Sequence, residues 1–366
     1  MSRLRVSECR FVRPADVADG AVVSVFRVQP ERSGQRVDVF VQGQLHRTSR
    51  TRAQAIVRAS AYDEAGRRLK VNDRVRPGQL VLLWRPPWDE RLEPIPIQVL
   101  WEDEHLLAVS KPPLLAVHPT ARHHKNTLIK LLQAERPECR FLSLGHRLDR
   151  ETSGVIVISK TPECDRRLKK QIEARRVEKT YVALTWGVPD RGDGAKVFRY
   201  ERGLELDSAH PLRVKMRVRD GPGALYAATR VEVVSVRRVS DERAYAWVRC
   251  GLETGRQHQI RVHLATLGAP VVGDKLYGPD ESAFARAADD ELTDEDLERL
   301  EMSRHALHAA RLELSHPITD ARLVIEAPLP ADMTEFWESL GKRTPCRSVK
   351  DLAAPCRGPV ARAPLE

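Results

Sequence analysis

The chain has 366 residues, 42% of them apolar, enough for two or three domains and at least one sizeable core. No run of about 18 or more apolar residues occurs, so no membrane span is expected, and the start "MSRLRVSECRFVRP" has no long apolar stretch behind it and does not read as a signal peptide. The formal charge of +10 is unevenly spread: residues 1–85 hold 17 Lys and Arg against 8 Asp and Glu, a surplus of +9 that suggests a polyanionic partner.

Residues 1–35 read as an extension with one β-prone piece, "AVVSVFRV". Residues 36–84 read as a compact small domain. It opens with a helix over "RVDVFVQGQL" and a second over "SRTRAQAIVRAS", with Ser49 as N-cap. "RLKVNDRVRPGQLVLL" then alternates into two short strands around the Pro77-Gly78 turn. The Pro-rich piece "RPPWDERLEPIPIQ", residues 85–98, breaks helix and strand alike and reads as a linker.

Residues 99–340 form a long mixed segment. Strands are expected over "HLLAVSK", "GVIVISK", "KTYVALTWG", "LRVKMRVR", "LYAATRVEVVSV", "RAYAWVRCGL", "ALHAARLEL" and "ARLVIEA", and helices over "NTLIKLLQAE", "PECDRRLKKQIEARR" and "GRQHQIRVHLATLG". Several strands adjoin with no helix between them, which favours an α+β fold with a mixed, largely antiparallel sheet over a doubly wound one. "DDELTDEDLERLE", residues 289–301, carries 8 acids and reads as a solvated helix in an insertion. Residues 341–366 read as a disordered tail. The six cysteines (Cys9, Cys139, Cys164, Cys250, Cys346, Cys356) are scattered and form no C-x-x-C pair. That argues against zinc and against a disulfide framework, and fits a reducing cytoplasm.

The stretch "GHRLDRETSGVIVISK", residues 145–160, sets Asp149 between Arg147 and Arg150 at the mouth of an apolar strand. It is either an ion pair closing a turn or a carboxylate kept ionised by its neighbours for use as nucleophile or base. In "LETGRQHQIRVHLATLGAPVVGDKLYG", residues 252–278, a helix is expected to open at Thr254-Gly255 and to carry Arg256, His258, Arg261 and His263. The two histidines stand five apart, so they do not share a helix face as metal ligands would. The polar cluster suits a phosphate, and Arg261 could reach a buried carboxylate; a plain charged helix face is the alternative. Tyr181 is a core residue of its strand or a surface for a nucleobase. Lys111 and His118, in the turn "SKPPLLAVHPT", meet phosphate or are plain surface.

Taken together, these pieces resemble the RluA-type pseudouridine synthases of large-subunit ribosomal RNA. "HRLDRETSG" matches every fixed position of that family's signature, His-Arg-Leu-Asp-x-x-Thr-Ser-Gly. "LETGRQHQIRVH" resembles its third motif, with Gln257 where a small hydroxyl residue is usual. "KTYVALTWG" resembles its tyrosine motif and "SRHALHAARLELSHP" its closing strand. "KPPLLAVHP" resembles its first motif, with Leu114 in place of the usual glycine. The resemblance spans about residues 98–335, and residues 36–83 resemble the S-four (αL) RNA-binding domain that often precedes this catalytic domain. Residues 1–35, 280–303 and 344–366 lie outside it.

The resemblance implies a cytoplasmic isomerase that turns uridine into pseudouridine in RNA, ribosomal before transfer RNA, with no cofactor and no metal. It implies that Asp149 is the catalytic carboxylate, attacking carbon-1′ or taking the carbon-2′ proton, a choice that stays open. It implies that Arg261 keeps Asp149 charged and that Tyr181 lies against the uracil, with a share in deprotonating carbon-5. Arg147 holds the extruded nucleotide or fills its place, and Leu148, Arg256, His258, Ile260 and Lys111 join it as substrate-binding residues. The competing readings are an RNA-binding protein without catalysis and a carboxylate glycosidase. The latter needs a second placed acid, and spacing pairs none of Glu151, Glu253 or Asp274 with Asp149.

Overall fold

The structure, a computed structural model, describes residues 11, 13–18, 21–45, 50–85, 95–118, 126–210, 212, 214–288 and 291–341. The Ser49 cap, most of the 85–98 linker, the tail from 342 onward and Cys9, Cys346 and Cys356 lie outside the described residues. The chain divides into two compact units, Met1–Arg91 and Leu92–Glu366.

The first unit contains β1 (Val22–Arg27), α1 (Val37–Gln44), α2 (Arg50–Ser60), β2 (Ala61–Tyr62) and β3 (Leu80–Arg85), with antiparallel strand order β1-β3-β2. Val37, Phe40 and Val41 stand at i, i+3 and i+4, so α1 turns one apolar face onto Ala53 and Val57 of α2, and all five are buried. Burying each Val or Phe contributes about 1.5–3 kcal/mol. Two expectations change here. The β-prone piece of the supposed extension is β1, which pairs along its length with β3, because an apolar strand with free edges needs a partner. Only one regular strand flanks the Pro77-Gly78 turn: residues 68–76 run as turns tied by the isolated bridges Tyr62↔Arg68 and Arg36↔Arg74.

The second unit begins with β4 (Gln98–Glu102), β5 (Leu106–Lys111), α3 (Leu128–Glu135), β6 (Ser143–Leu144) and β7 (Ser153–Ser159). It continues through α4 (Pro162–Glu173), β8 (Glu178–Trp186), β9 (Val197–Glu201), β10 (Leu204–Leu206), β11 (Met216–Val218), β12 (Ala228–Arg238) and β13 (Ala244–Leu252). It closes with α5 (Gln259–Thr266), α6 (Ser282–Ala288), α7 (Asp294–Leu300), β14 (Leu307–Ser315), β15 (Arg322–Glu326) and α8 (Ala331–Ser339). A ten-stranded sheet runs β4-β5-β7-β14-β8-β13-β12-β9, with β6 beside β7 and β15 beside β14. This is the expected α+β fold with a mixed, mostly antiparallel sheet.

Among the described strands, β7 and β14 make the one parallel pairing, through His308↔Ser153 and Ala309↔Gly154. Every residue of β7 is buried, as its unbroken apolar run requires of a strand covered on both faces. Gly154 stands at this junction with φ +111°, and a Cβ there would lie 2.2 Å from the Ala309 carbonyl oxygen. The glycine of Thr-Ser-Gly is therefore needed for the strands to meet. "LRVKMRVR" yields only the three-residue β11, paired with β10 in a separate ribbon. The 289–301 helix is α7, begun by a Thr293–Asp296 capping box. The strands β4, β6, β9 and β10 and the helices α6 and α8 were not expected, and β4 begins at Gln98, the last residue of the expected linker.

Candidate active site

The loop from Gly145 to Thr152 is fixed before its polar groups are considered. Leu148 is 5% exposed and enters the large core with Tyr181 and Ile260. The Thr152 amide donates to the Asp149 carbonyl at 3.1 Å, closing a turn. The Thr152 hydroxyl is 2.8 Å from Nε2 of His305 and the Ser153 hydroxyl 2.9 Å from Nδ1 of His308, both buried pairs. The whole Thr-Ser-Gly run thus clamps the loop to β14 and the segment before it.

Asp149 accepts a hydrogen bond on Oδ2 from Nη1 of Arg261 at 3.0 Å, and Nε2 of His258 lies 3.9 Å from the same oxygen. Its Oδ1 accepts no hydrogen bond from a described residue, and the side chain is 22% exposed. Burial raises the pKa of Asp149; the charges of His258, Arg261 and His305 outweigh it and leave the group below its ordinary value. His258 and His305 are themselves pushed by burial to about 4, so near neutral pH the lasting counter-charge is Arg261.

Arg261 does not serve Asp149 alone. Its Nε and Nη2 grip both oxygens of Asp274 at 2.6 and 2.8 Å. Asp274 is fully buried, and its Oδ1 also accepts from the Leu276 and Tyr277 amides at 2.9 and 3.0 Å. Burial by itself would lower the Arg261 pKa, and the Asp274 carboxylate reverses that and carries it above the ordinary value. A bidentate pair of this kind fixes the plane of the guanidinium, so the third nitrogen is aimed at Asp149. Asp274 was the residue sequence reasoning set aside. It lies in the short turn Gly273–Tyr277, which reads as surface loop, and only its amide-capping position two and three residues before Leu276 and Tyr277 hints otherwise.

Tyr181 is buried, and burial together with the Asp149 charge pushes its phenol well above the ordinary range. Its ring forms a wall of the site beside Leu148 and Ile260. Arg147 is exposed beside the loop. The helix expected from Thr254 starts later, at Gln259. His258 sits before it in the left-handed region with φ +55° and bonds Tyr277 through Nδ1 at 2.8 Å. The Gln259 amide oxygen accepts from the Thr254 hydroxyl and the Arg256 amide, closing the turn with the chain's own groups. Arg256 turns its guanidinium to the Tyr226 carbonyl at 3.1 Å.

Lys111 corrects the expectation of a phosphate ligand or plain surface. It is fully buried, and Nζ donates to the carbonyls of Pro112, Leu115 and Arg150 at 2.7, 3.0 and 3.1 Å. Those three bonds use all the donors an ammonium has. Its role here is to fasten the loop behind Asp149, with burial pulling its pKa down to about 7. Leu114 keeps the left-handed conformation with φ +63° that a glycine would take, and its carbonyl accepts from Nε of Arg150 at 3.1 Å. Of the other two acids weighed, Glu151 is held by Lys275 and the His305 amide, and Glu253 by Arg199.

Comparison with known proteins adds the chemistry. The family model for RNA pseudouridylate synthases matches residues 105–266, which include Lys111, Asp149, Tyr181 and Arg261. Ribosomal large subunit pseudouridine synthase D of Pseudomonas aeruginosa is 35% identical over 310 residues, 82% of this chain and 91% of its own. Its Xanthomonas campestris namesake is 32% identical over 319 residues, 86% and 91% of the two chains. Among solved structures, human RNA pseudouridylate synthase domain containing 1 is similar in fold, with a TM-score of 0.50 at 21% identity, over 70% of this chain and 100% of that one.

Proposed function

The chain belongs to the RNA pseudouridylate synthase family, and from that premise we propose that it isomerises uridines of large-subunit ribosomal RNA with Asp149 at the reacting sugar. The relatives' names support the substrate. The observation that carries the site is the divided carboxylate of Asp149: Oδ2 is tied to Arg261, while Oδ1 accepts nothing from a described residue.

The reaction breaks the bond from ring nitrogen N1 to carbon-1′ and forms one from C5 to carbon-1′. C5 loses a proton and N1 gains one, so atoms balance without a co-reactant. Attack on carbon-1′ and removal of the carbon-2′ proton both begin from an ionised carboxylate oxygen. Arg261 keeps that charge, and Asp274 keeps Arg261 in place. Tyr181, buried on β8 close enough to Asp149 for its charge to be felt, supplies a surface for the uracil and is the candidate to share in removing the C5 proton. Extruding a base costs a few kcal/mol of stacking, and in this reading Arg147, exposed within the loop, holds the extruded nucleotide or fills the gap it leaves.

Residues 36–84, with β1 added, act in this reading as an S-four-like RNA-binding domain. The +9 surplus in residues 1–85 supports it, since Lys and Arg gain affinity by releasing counterions from phosphate. The test is to incubate the protein with unmodified large-subunit ribosomal RNA and, in parallel, with transfer RNA, and to map the pseudouridines formed. Product in ribosomal RNA that vanishes with Asp149→Asn is expected. Product from Asp149→Asn overturns the site, and product only in transfer RNA overturns the substrate.

A further inference from the structure

Lys179 stands two residues before Tyr181 on β8, so both side chains leave the same face of the sheet. At about 3.3 Å rise per residue, they emerge roughly 7 Å apart. A Cβ on Gly255, in the turn that leads to His258, would lie 4.0 Å from the Lys179 ammonium. The Lys179 charge is also felt by the ring of His146, three residues before Asp149. The ammonium thus lies beside the turn that leads to His258 and within electrostatic reach of the loop that carries Asp149.

Among the described residues the Lys179 ammonium has no hydrogen bond and no ion pair. Burial alone lowers its pKa, to about 8, with no carboxylate opposing it. Both ring nitrogens of His146 are buried and bond to nothing described, and burial with the Lys179 charge pushes that ring to about 3. An enclosed cation and an enclosed imidazole without partners are costly to keep. The other cations enclosed near this site are spoken for: Arg261 by two carboxylates, Lys275 by Glu151, Lys111 by three carbonyls.

We propose that Lys179 and His146 form a phosphate subsite that takes a backbone phosphodiester flanking the extruded uridine, supplying the anion this part of the fold lacks. The subsite rests on the isomerase reading. A phosphodiester suits it because it brings one negative charge for the ammonium and two acceptor oxygens, one of which can accept a hydrogen bond from the N–H of neutral His146. The phosphate lies one sugar away from the base, in keeping with the spacing of Lys179 from Tyr181 along β8.

The test uses the full chain and a stem-loop cut from large-subunit ribosomal RNA in which the wild type forms pseudouridine. Lys179→Gln should bind it about tenfold more weakly, and the slope of log affinity against log salt should fall by about one. Lys179→Arg should restore the slope. The Lys179→Gln protein should melt no lower than the wild type, because an unpartnered charge has been removed; a lysine with only a structural role predicts a lower melting temperature. A neutral methylphosphonate on the 5′ or 3′ side of the target uridine should weaken the wild type about tenfold at one of the two positions and leave Lys179→Gln unaffected there. An unchanged salt slope, or losses from variant and methylphosphonate that simply add at both positions, would overturn the subsite while the isomerase reading stands. Failure of the wild type to convert any fragment defeats that reading and the subsite with it.

Discussion

Arg261, buried, and Lys179, half-buried, are cations near the same loop, held in opposite ways. Arg261 is locked by Asp274 and tied to Asp149, whereas Lys179 has no counter-charge among the described residues. The contrast separates two tasks. A group that keeps a carboxylate ionised must be in place before substrate arrives, so the protein completes its charge balance from within. A group that receives substrate must be left incomplete, and the fold carries the cost until the ligand comes.

The contrast can be broken most decisively at Asp149. Asp149→Ala and Asp149→Asn should lose pseudouridine formation by on the order of 10⁴-fold or more. Stability should change by only about 0–1 kcal/mol, since Asp274 still balances Arg261, and RNA binding should persist. Counting pseudouridines, melting each variant and measuring RNA affinity check this; substantial product from either variant refutes the assigned role.

Arg261→Ala should be the reverse, a stability defect first. It strands the buried Asp274 and leaves Asp149 unpaired, which costs about 3–5 kcal/mol. Whatever activity survives should shift to higher pH, because Asp149 without its cation ionises less readily. Adding Asp274→Asn should recover part of the stability, as no full charge is then stranded there. Denaturant titration of the double-mutant cycle measures this, and strictly additive losses would mean the two groups are not coupled.

A third test uses pH. Burial drives His305, His308 and His263 to about 4, against about 6.5 when unfolded. Between those values the unfolded chain binds more protons, so stability falls as pH drops through 6.5 and levels off below 4. At pH 5 each contributes a loss of about 2 kcal/mol. Equal denaturation midpoints at pH 7 and pH 5 would contradict the buried neutral histidines behind the loop. The smallest effect is expected at Leu114. Leu114→Gly removes left-handed strain of about 1–2 kcal/mol and loses about 0.5–1 kcal/mol to the freer unfolded chain, a net gain of about 0–1.5 kcal/mol. A thermal melt resolves it.

The elements legible in the sequence were those whose pattern is local. Periodic apolar spacing announced α1, and unbroken apolar runs announced β5, β7, β8 and β13. The three-residue β10 and the two-residue β6 have too little sequence to show a period and exist only by pairing. The same division holds at the site. Asp149, Tyr181 and Arg261 stand in motifs that can be quoted, but the pairing of Arg261 with Asp274 spans a turn of ordinary composition, and the lack of a partner for the Lys179 ammonium among the described residues is a property of space. Lys111 was misread for a related reason: a lysine beside two prolines looks exposed, and only the fold brings three carbonyls to its ammonium.

The parallel junction of β7 with β14 also governs the order of assembly. Ser153 and His308, whose side chains meet across it, are 155 positions apart in the chain, and Asp149 and Arg261 are 112 apart. Contacts of such long range close late, because a large loop must be ordered before they form. A growing chain that has just left the ribosome through β8 already owns Asp149 and Tyr181 but has neither the clamp nor the cation. The carboxylate of Asp149 therefore meets its cation, and its loop meets the clamp, only when the last third of the chain has emerged.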